Sequence, residues 1–457
     1  PAARFTLTRP THMSSNPLTR RSFLRTTSLA SAASLAFPYV MRSQGGVSPN
    51  NKLNIAIVGV GGRGEAAVRG VAKENLVGFC DVDDARAAKM YQEFSTVPTF
   101  RDYRKMFEQL GNQIDAVTIS TPDHMHFPIA MAAIAMGKHV FVEKPLTHTV
   151  WEARQLTKAA KEKKVATQMG NQGHANDGTR ILKEWVMAGV LGEVREIHSW
   201  TNRPVWPQGV NAPDHSKFIP VVPSTLDWNL WLGVAPDRAY DPSIVPFNWR
   251  GLWDYGTGAL GDMGCHIMDS AYWALGLTAP TAVEAISARG TAISGPLSSV
   301  VTYDFPARGS MPALQWHWYD GGRKPRIPDV LEKNRQLPDN GSLIVGSKAI
   351  ALTTTYSESV RLIPEATMRD LAPSLPAKTI PRIEGSHFDE WIGACKGGTP
   401  AGSNFDYAGP FTETVLLSNL AIRAQRRIEW DAANLKVTNL PEANALVTKT
   451  YRPGFGV

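Results

Sequence analysis

The chain has 457 residues, of which 43% are hydrophobic and 19% are charged, an ordinary balance for a soluble globular protein but too long for one typical core. Its formal net charge is +7, but residues 1–50 carry six arginines and no acidic residue, so the rest of the chain is nearly neutral. The charge of the folded body therefore does not indicate nucleic-acid binding. The three cysteines, Cys80, Cys265 and Cys395, are widely spaced and odd in number, which argues against a disulfide framework and a paired-cysteine metal site. We therefore expect two domains preceded by a basic tail.

The basic tail is typical of an export signal. Arg20 and Arg21 stand side by side in the sequence TRRSFLR, which resembles the twin-arginine motif. The uncharged, weakly apolar run over residues 26–40 is too short for a lasting membrane helix. A disordered basic tail is the alternative. We predict a twin-arginine signal and linker over residues 1–50, with Gly45–Asn51 as the flexible linker, export to the periplasm or another extracytoplasmic space, and no stable membrane insertion.

From residue 51 the sequence alternates short apolar runs with amphipathic runs, which predicts a parallel α/β sheet over residues 51–172. Each strand and helix together have the length of a crossover unit between parallel strands. The predicted strands are Asn54–Val58, Leu76–Cys80, Asp115–Ser120, His139–Glu143 and Val165–Met169. The predicted helices are Gly64–Ala72, Ala85–Phe94, Tyr103–Leu110, Pro128–Met136 and Val150–Lys163.

After residue 172 the alternation of predicted strands and helices ends, and later strands follow one another without intervening helices. This pattern predicts an α+β domain with a large, mostly antiparallel sheet over residues 173–457. Leu314, Trp316 and Trp318 alternate as residues of one buried face do. The predicted strands are Val194–Thr201, Ala282–Ala288, Val300–Phe305, Ala313–Tyr319, Leu343–Val345 and Ala349–Leu352. The predicted helices are Thr179–Ala188, His387–Lys396 and Phe411–Arg426.

A glycine-rich turn directly follows the first predicted strand. Its pattern, G-x-G-x-x-G, lets Gly59 form a tight turn, lets the backbone at Gly61 approach a pyrophosphate, and lets the helix pack closely on the strand at Gly64. Asp81, at the end of the second strand, is placed to bind ribose hydroxyls and to repel a 2′-phosphate, although Arg63 and Arg86 leave room for NADP. Residues 51–172 are thus predicted to form an NAD(P)-binding Rossmann domain that favours NAD. The loop residues predicted to bind the cofactor are Gly59, Gly61, Gly62, Arg63 and Gly64.

Three further segments resemble the glucose–fructose oxidoreductase, inositol dehydrogenase and rhizopine catabolism (Gfo/Idh/MocA) family. Residues 115–126 resemble the third Rossmann segment of that family, and residues 137–145 contain its Glu-Lys-Pro signature. Residues 258–269 resemble its Asp-x-x-x-His segment. The order and spacing match over roughly residues 50–430, so the resemblance covers nearly the whole predicted folded body.

The resemblance implies a catalytic set of Lys144, Asp262 and His266. Oxidation of a secondary alcohol needs a base for the hydroxyl proton while the hydride leaves the carbon. Lys144 ends a strand at the carboxyl edge of the sheet, where we expect burial to lower its pKa toward acid–base use. Asp262 and His266 are four residues apart and share a face if the segment is helical. In the family these two positions polarise the substrate hydroxyl and relay its proton.

The resemblance also implies cofactor contacts around the nicotinamide and at the junction of the two domains. It places Pro145 at a fixed turn, often with a cis bond. The histidines at 124 and 126, together with Asp123, could suggest a metal site, but the family has such residues near the nicotinamide, and we predict no metal. The implied cofactor contacts are Thr121, Asp123, His126, Glu143, Lys144 and Asn171.

Aromatic residues and an arginine crowd the segments that should border the cleft. Aromatic faces pack against the C–H surfaces of sugars, and arginine donates paired hydrogen bonds. For each of these residues a role in core or loop packing is an equal alternative. The predicted substrate contacts are Arg203, Trp206, Trp253 and Tyr255, with Trp249 in the same group.

Together these features predict an oxidoreductase that transfers a hydride to or from a secondary alcohol of a sugar, glycoside or cyclitol. Two alternatives stay open. One is a glycosidase that uses NAD in a transient oxidation–elimination–reduction cycle, and the other is a non-catalytic binding protein on the same fold. Because little free NAD is available outside the cytoplasm, the predicted export implies a cofactor that stays bound through the cycle. The resemblance further implies a homo-oligomer and a small-molecule carbohydrate substrate.

Overall fold

The computed structural model of the chain describes residues 52–211 and 220–456. The predicted twin-arginine signal and the Gly45–Asn51 linker lie outside the described residues. Within the described ranges, no helix is both long enough and apolar enough to cross a membrane.

The first domain contains a six-stranded parallel sheet. Its strands are β1 (Asn54–Val58), β2 (Asn75–Cys80), β3 (Thr99–Phe100), β4 (Ala116–Ile119), β5 (His139–Val142) and β6 (Thr167–Met169). They lie in the order β3-β2-β1-β4-β5-β6, and each neighbouring pair is parallel. Every residue of β4, β5 and β6 is buried, as expected for strands covered on both faces of a sheet. The predicted Rossmann sheet is confirmed, and β3 is an additional short strand.

Five helices connect these strands. They are α1 (Gly64–Val71), α2 (Asp84–Glu93), α3 (Tyr103–Leu110), α4 (His126–Ala135) and α5 (Val150–Lys163). Short polar side chains fix where they begin. Asp83 accepts hydrogen bonds from the first backbone N–H groups of α2, Asp102 does the same for α3, and Thr149 forms a capping box with Glu152 at α5. All five begin within two residues of the predicted positions.

The second domain contains a nine-stranded sheet. Its strands are β7 (Val194–Trp200), β8 (Ala282–Ala288), β9 (Ser298–Phe305), β10 (Leu314–Tyr319), β11 (Gly341–Gly346), β12 (Ile350–Thr353), β13 (Val360–Ile363), β14 (Ile428–Asp431) and β15 (Lys436–Val437). Their order is β13-β12-β11-β7-β10-β9-β8-β14-β15, and all pairs are antiparallel except the parallel pair of β7 and β10. The mostly antiparallel sheet is therefore confirmed. Leu314, Trp316 and Trp318 are all buried in the core, as their alternation predicts.

The helices of the second half are α6 (Asp177–Met187), α7 (Trp228–Leu232), α8 (Gly258–Ile267), α9 (Asp269–Ala274), α10 (Glu365–Leu371), α11 (His387–Cys395) and α12 (Phe405–Ala424). The start of α12 was predicted too late, at Phe411. Proline inside a helix removes a donor and crowds the preceding turn, which favours a start after Pro410. In the structure Asn404 caps the helix instead, because its side chain accepts a hydrogen bond from the backbone N–H of Asp406, and Pro410 lies within the first turns.

Helix α11 packs on the parallel sheet although it lies far along the chain. Phe388, Trp391 and Ile392 belong to the same buried cluster as Ile55 and Ile57 of β1. This helix therefore completes the core of the first domain, and it places His387 against Phe141 of β5, with 5.5 Å between ring centroids.

Candidate active site

A cavity of about 460 Å³ lies at the carboxyl ends of the parallel strands. This is the edge at which open α/β sheets bind their ligands. One wall comes from the loops that follow β1, β2, β4 and β5, and the facing wall comes from the second half of the chain. Lining residues include Gly59, Gly61, Gly62, Arg63, Asp81, Arg86, Arg104, Thr121, Asp123, Glu143, Lys144, Trp231, Phe247, Trp249, Arg250, Asp262 and Phe455.

The glycine-rich loop forms a backbone cradle at this cavity. Gly59 has a φ of +80°, and a Cβ atom there would lie 2.7 Å from the carbonyl of Ser120. A Cβ atom on Gly64 would collide with the carbonyl oxygen of Gly59, so α1 can pack this closely on β1 only without a side chain. The loop thus leaves backbone at the cavity surface where a pyrophosphate needs a close approach, and the residues present fit a dinucleotide.

Asp81 is fixed beside this loop. Its Oδ2 accepts hydrogen bonds from the backbone N–H groups of Val60, at 2.8 Å, and Gly61, at 2.9 Å, and its Oδ1 accepts one from Asp83 at 3.0 Å. Burial raises the pKa of Asp81, while these three hydrogen bonds oppose the rise. A carboxylate oxygen can accept more than one hydrogen bond, so Oδ1 keeps a lone pair for a ribose hydroxyl. Arg86 also lines the cavity, over Gly62.

At the other end of the cavity, Lys144 and Asp262 form an ion pair. The Lys144 Nζ lies 2.6 Å from Asp262 Oδ1 and 3.0 Å from the backbone carbonyl of Asp262, and both side chains are only 16% exposed. Arg250 stands further off, with its Nε 3.9 Å from the same carboxylate oxygen. The structure therefore brings together a residue that follows β5 and a residue of α8, as the resemblance implied.

The pKa of Lys144 differs from the sequence-based expectation. Burial alone would lower it, but the charge and hydrogen bond of Asp262, with Glu143 and Asp123 nearby, raise it above the usual value. For Asp262, burial raises the pKa, and the contact with Lys144 outweighs that effect and lowers it. Both groups are thus charged near neutral pH. Lys144 is an ammonium donor rather than the weakened base that we expected.

His266 lies one turn beyond Asp262 on α8, which confirms the predicted helical face. The imidazole is buried, and its Nδ1 has no hydrogen-bond partner among the described residues. Burial, followed by the charge of Lys144, holds the pKa of His266 well below 6.5, so the ring is neutral near neutral pH. The ring of Tyr356 stands edge-on against it, with 4.9 Å between ring centroids.

Glu143 links the two ends of the cavity. Its Oε1 accepts a hydrogen bond from Arg63 Nε at 2.7 Å, and its Oε2 accepts one from the backbone N–H of Lys144 at 3.3 Å. The peptide bond between Lys144 and Pro145 is cis. Asp123 accepts a hydrogen bond from Thr257 Oγ1 at 2.8 Å, which ties the loop after β4 to the segment before α8.

The other implied cofactor contacts are His126, Thr121 and Asn171, which carry buried polar atoms. The two ring nitrogens of His126 lie near backbone carbonyls, Nδ1 2.8 Å from that of Pro145 and Nε2 2.9 Å from that of Thr121. His126 therefore positions these loops and is not among the residues that line the cavity. The hydroxyl of Thr121 and the Nδ2 of Asn171 are buried and lack partners in the part of the chain that is described. Asn171 Oδ1 accepts a hydrogen bond from Ser403 at 2.6 Å.

The four predicted substrate residues lie outside the described lining of this cavity. Tyr255 is fully buried, and its ring packs against His124 and Trp231. Trp253 lines a separate cavity of about 290 Å³. Trp206 is buried, packs against Phe247 and donates a hydrogen bond to Gln208, and Arg203 donates one to the neighbouring Asn202. Periodicity along the sequence identifies burial but does not distinguish a cleft wall from the layer behind it.

The sequence-based prediction missed most of the aromatic residues that line the cavity. The Arg250 guanidinium lies over the rings of Trp249, at 4.4 Å, and Phe247, at 4.6 Å, and it faces Asp262. Trp231 from α7 adds a third ring to the lining. Arg250 directly follows Trp249, which was a predicted substrate contact, and this adjacency could have identified it. Nothing in the pattern near α7 marked Trp231 as a cavity residue.

His124, one of the two histidines that could have suggested a metal site, is buried and contacts the backbone of the second half of the chain. Its Nε2 lies 3.0 Å from the carbonyl of Trp231, and burial lowers its pKa to about 3. Over residues 52–211 and 220–456, the structure contains no group of three histidine, cysteine or acidic side chains placed to hold a metal ion.

Two family models match the chain. One is described as "Oxidoreductase family, NAD-binding Rossmann fold" and matches residues 53–171, and the other as "Oxidoreductase family, C-terminal alpha/beta domain" and matches residues 180–294. Both are Gfo/Idh/MocA models. Their order along the chain agrees with that of the motifs described above.

Curated relatives match over part of the chain. Levoglucosan dehydrogenase of Pseudarthrobacter phenanthrenivorans is 25% identical over 190 residues, which are 42% of this chain and 40% of the relative. Inositol 2-dehydrogenase of Serratia proteamaculans is 30% identical over 152 residues, which are 32% of this chain and 44% of the relative. The chain thus spans less than half the length of these two relatives.

Solved structures share the fold over most of the chain. The WlbA dehydrogenase of Bordetella pertussis, in complex with NADH and UDP-GlcNAcA, has a TM-score of 0.59 at 16% identity and covers 83% of this chain and 98% of its own. The aldose-aldose oxidoreductase of Caulobacter crescentus, complexed with glycerol, has a TM-score of 0.53 at 17% identity, and the match covers 83% of this chain and 100% of that protein's chain. At these identities the similarity establishes the fold.

Proposed function

The chain belongs to the Gfo/Idh/MocA oxidoreductase family, and on that basis we propose that it transfers a hydride between bound NAD and a secondary alcohol carbon of a sugar, glycoside or cyclitol. The observation that carries this proposal is the ion pair of Lys144 and Asp262, which lines the same cavity as the glycine-rich loop. NAD supplies the hydride acceptor or donor when it is bound, and the residues of the chain bind the alcohol and move its proton.

The charges of the site support a division of roles between Lys144 and His266. Lys144 keeps its proton, so its ammonium group donates a hydrogen bond to the substrate oxygen and stabilises negative charge that develops there. Asp262 holds that ammonium group in place. His266 is not among the residues that line the cavity, but it lies one turn along α8 from Asp262, and in this proposal its neutral ring accepts the hydroxyl proton during oxidation and returns it during reduction.

The cavity wall near Lys144 suits a carbohydrate. The rings of Trp231, Phe247 and Trp249 offer apolar faces for C–H groups, and Arg250 offers several donors for hydroxyl or carboxylate oxygens. The two curated relatives named above are dehydrogenases of an anhydrosugar and of a cyclitol, which supports the same substrate class.

We further propose that the cofactor stays bound between turnovers and that the chain is exported by the twin-arginine route. The salt bridge from Arg63 to Glu143 supports retention because it joins the glycine-rich loop to the residue beside Lys144, across the cavity. The adjacent arginines Arg20 and Arg21 support export.

The test is a substrate screen with the full chain. Inositols, aldoses, anhydrosugars and chromogenic glycosides are each offered with and without added NAD, and the absorbance of reduced nicotinamide is followed. We expect reduction with at least one polyol, loss of that signal in Lys144→Met, and its retention in Lys158→Met, whose side chain is 69% exposed. Binding of NAD with no reduction by any compound would overturn the proposal. Release of an aglycone without net reduction would identify the redox-neutral glycosidase cycle instead.

A further inference from the structure

The segment 449–456 returns to the first domain and is fixed at several points. Lys449 Nζ lies 3.1 Å from Glu152 Oε1, and the hydroxyl of Tyr451 donates a hydrogen bond to the same oxygen at 2.6 Å. The backbone N–H of Arg452 donates to the carbonyl of Val234 at 3.1 Å, and its guanidinium donates to that of Gly233 at 2.9 Å. These contacts hold the segment against α5 and against the loop after α7.

Beyond these anchors, Phe455 reaches the cavity. The guanidinium carbons of Arg452 and Arg104 lie 4.4 Å and 4.7 Å from the centre of its ring. Arg104 also donates a hydrogen bond to the carbonyl of Gly454 at 3.0 Å and is paired with Asp102 at 2.8 Å. Phe455 and Arg104 both line the cavity, and we call Arg104, Phe455 and Arg452 the arginine–phenylalanine stack.

The stack stands at the end of the cavity away from the reacting carbon. Arg104 follows β3, which is the edge strand beside β2, and Asp81 directly follows β2. Lys144 follows β5, on the other side of β1 and β4. A dinucleotide whose ribose binds Asp81 and whose nicotinamide lies near Lys144 therefore has its adenosine half at the arginine–phenylalanine stack.

We propose that Arg104 and Phe455, the two members of the arginine–phenylalanine stack that line the cavity, form a wall of the adenine subsite, and that Phe455 contacts the base and slows release of the cofactor. The inference rests on the proposed function, because it requires NAD as the ligand. Aromatic rings and guanidinium groups both pack on the faces of nucleic-acid bases. The two arginines fix the ring of Phe455 before the base arrives, so little side-chain freedom is lost on binding.

This element is contributed by a part of the chain that neither family model covers. The models match residues 53–171 and 180–294, and the segment 449–456 lies well beyond both. The glycine-rich loop and Asp81 therefore follow the family pattern, whereas the base contact at Phe455 depends on how this chain returns across its own first domain.

The experiment measures binding of three probes to the full chain after removal of bound nucleotide. NAD and ADP-ribose both contain adenosine, and nicotinamide mononucleotide lacks it. We expect Phe455→Ala to weaken NAD and ADP-ribose by about tenfold, because loss of a base–aromatic contact has that effect, and to leave nicotinamide mononucleotide unchanged. Phe455→Leu, which keeps apolar bulk without a ring, should weaken the same two probes, and Phe455→Trp should restore them. Pro453→Ala changes an exposed residue of the same segment and should match the wild type.

The outcomes separate the inference from the proposed function. Unchanged binding of NAD and ADP-ribose in Phe455→Ala and Phe455→Leu would overturn the base contact while the dehydrogenase proposal stands. Equal weakening of all three probes would also overturn it, since the segment would then support the fold generally. A wild-type chain that binds none of the three probes would remove the proposed function and the inference with it. Amounts of nucleotide released on denaturation provide a second readout, and Phe455→Ala should retain less than the wild type.

Discussion

The substitution Lys144→Met tests both the energetics and the chemistry of the buried ion pair. It removes the ammonium group, keeps an apolar stem, and leaves the Asp262 carboxylate with Arg250 as its closest cation, at 3.9 Å. Loss of one partner of a buried pair costs about 3–5 kcal/mol. Because each side chain retains 16% exposure, we expect the lower end of that range, about 3 kcal/mol. Turnover should fall by about 10²–10⁴-fold, since a charged donor at the substrate oxygen is lost.

The double substitution Lys144→Met with Asp262→Asn separates the two effects. It removes both charges, so we expect the free energy of unfolding, measured by urea titration, to recover most of the loss. Turnover, measured from the absorbance of reduced nicotinamide, should stay low, and the affinity for NAD should change little in either variant. A loss of turnover smaller than about threefold for Lys144→Met would return Lys144 to a structural role. A double variant no more stable than the single one would refute the attribution to an unpaired Asp262.

The remaining predictions concern the cofactor, two histidines and the signal. Asp81→Ser should shift the ratio of binding constants toward NADP, and a wild type that already binds NADP about tenfold more tightly than NAD would contradict this. Turnover should not fall as pH drops through 6.5 if His266 is the base, because its pKa is well below that value, and a titration centred at 6.5 would exclude this role. Burial lowers the pKa of His387 to about 4, so the unfolded chain takes up a proton at this residue that the folded chain does not bind, and His387 alone should contribute about 1.4 kcal/mol per pH unit to the fall in the free energy of unfolding between pH 6.5 and about 4. In urea titrations at a series of pH values, His387→Gln should make the slope shallower by about that amount, while other buried histidines such as His124 and His139 keep their own contributions. Replacing Arg20 and Arg21 with lysine should leave the precursor in the cytoplasm, and unchanged export would remove the signal hypothesis.

Local patterns in the sequence predicted most of the fold. The strand Asn54–Val58 and the helix Val150–Lys163 have the predicted bounds, because apolar periodicity and capping residues act within a few neighbouring positions. The glycine-rich loop was predictable for the same reason, since its conformation depends on residues adjacent in the chain. Asp262 and His266 share a helix face, as their spacing predicts.

Contacts between distant segments could not be predicted in this way. The rise in the pKa of Lys144 depends on a carboxylate 118 residues away, whose charge outweighs the burial that we expected to dominate. The packing of Trp391 on β1 and the approach of Phe455 to Arg104 are equally remote in sequence. The substrate residues were the least predictable, because Tyr255 and Trp249 look alike in composition and spacing, while one is fully buried and the other lines the cavity.

The proposed retention of the cofactor rests on which segments of the chain form the walls of the cavity. Contact strength decides the dissociation rate far more than the association rate, so a ligand held by several independent segments leaves only after several contacts break together. Here the glycine-rich loop is tied to Glu143 by Arg63, and Phe455 is held by arginines from both halves of the chain. An exported enzyme that cannot replace lost NAD requires this kind of closure, whereas a cytoplasmic one does not. A cofactor that dissociates from the wild type as fast as from a variant carrying both Arg63→Ala and Phe455→Ala would therefore contradict the proposal that these contacts retain it.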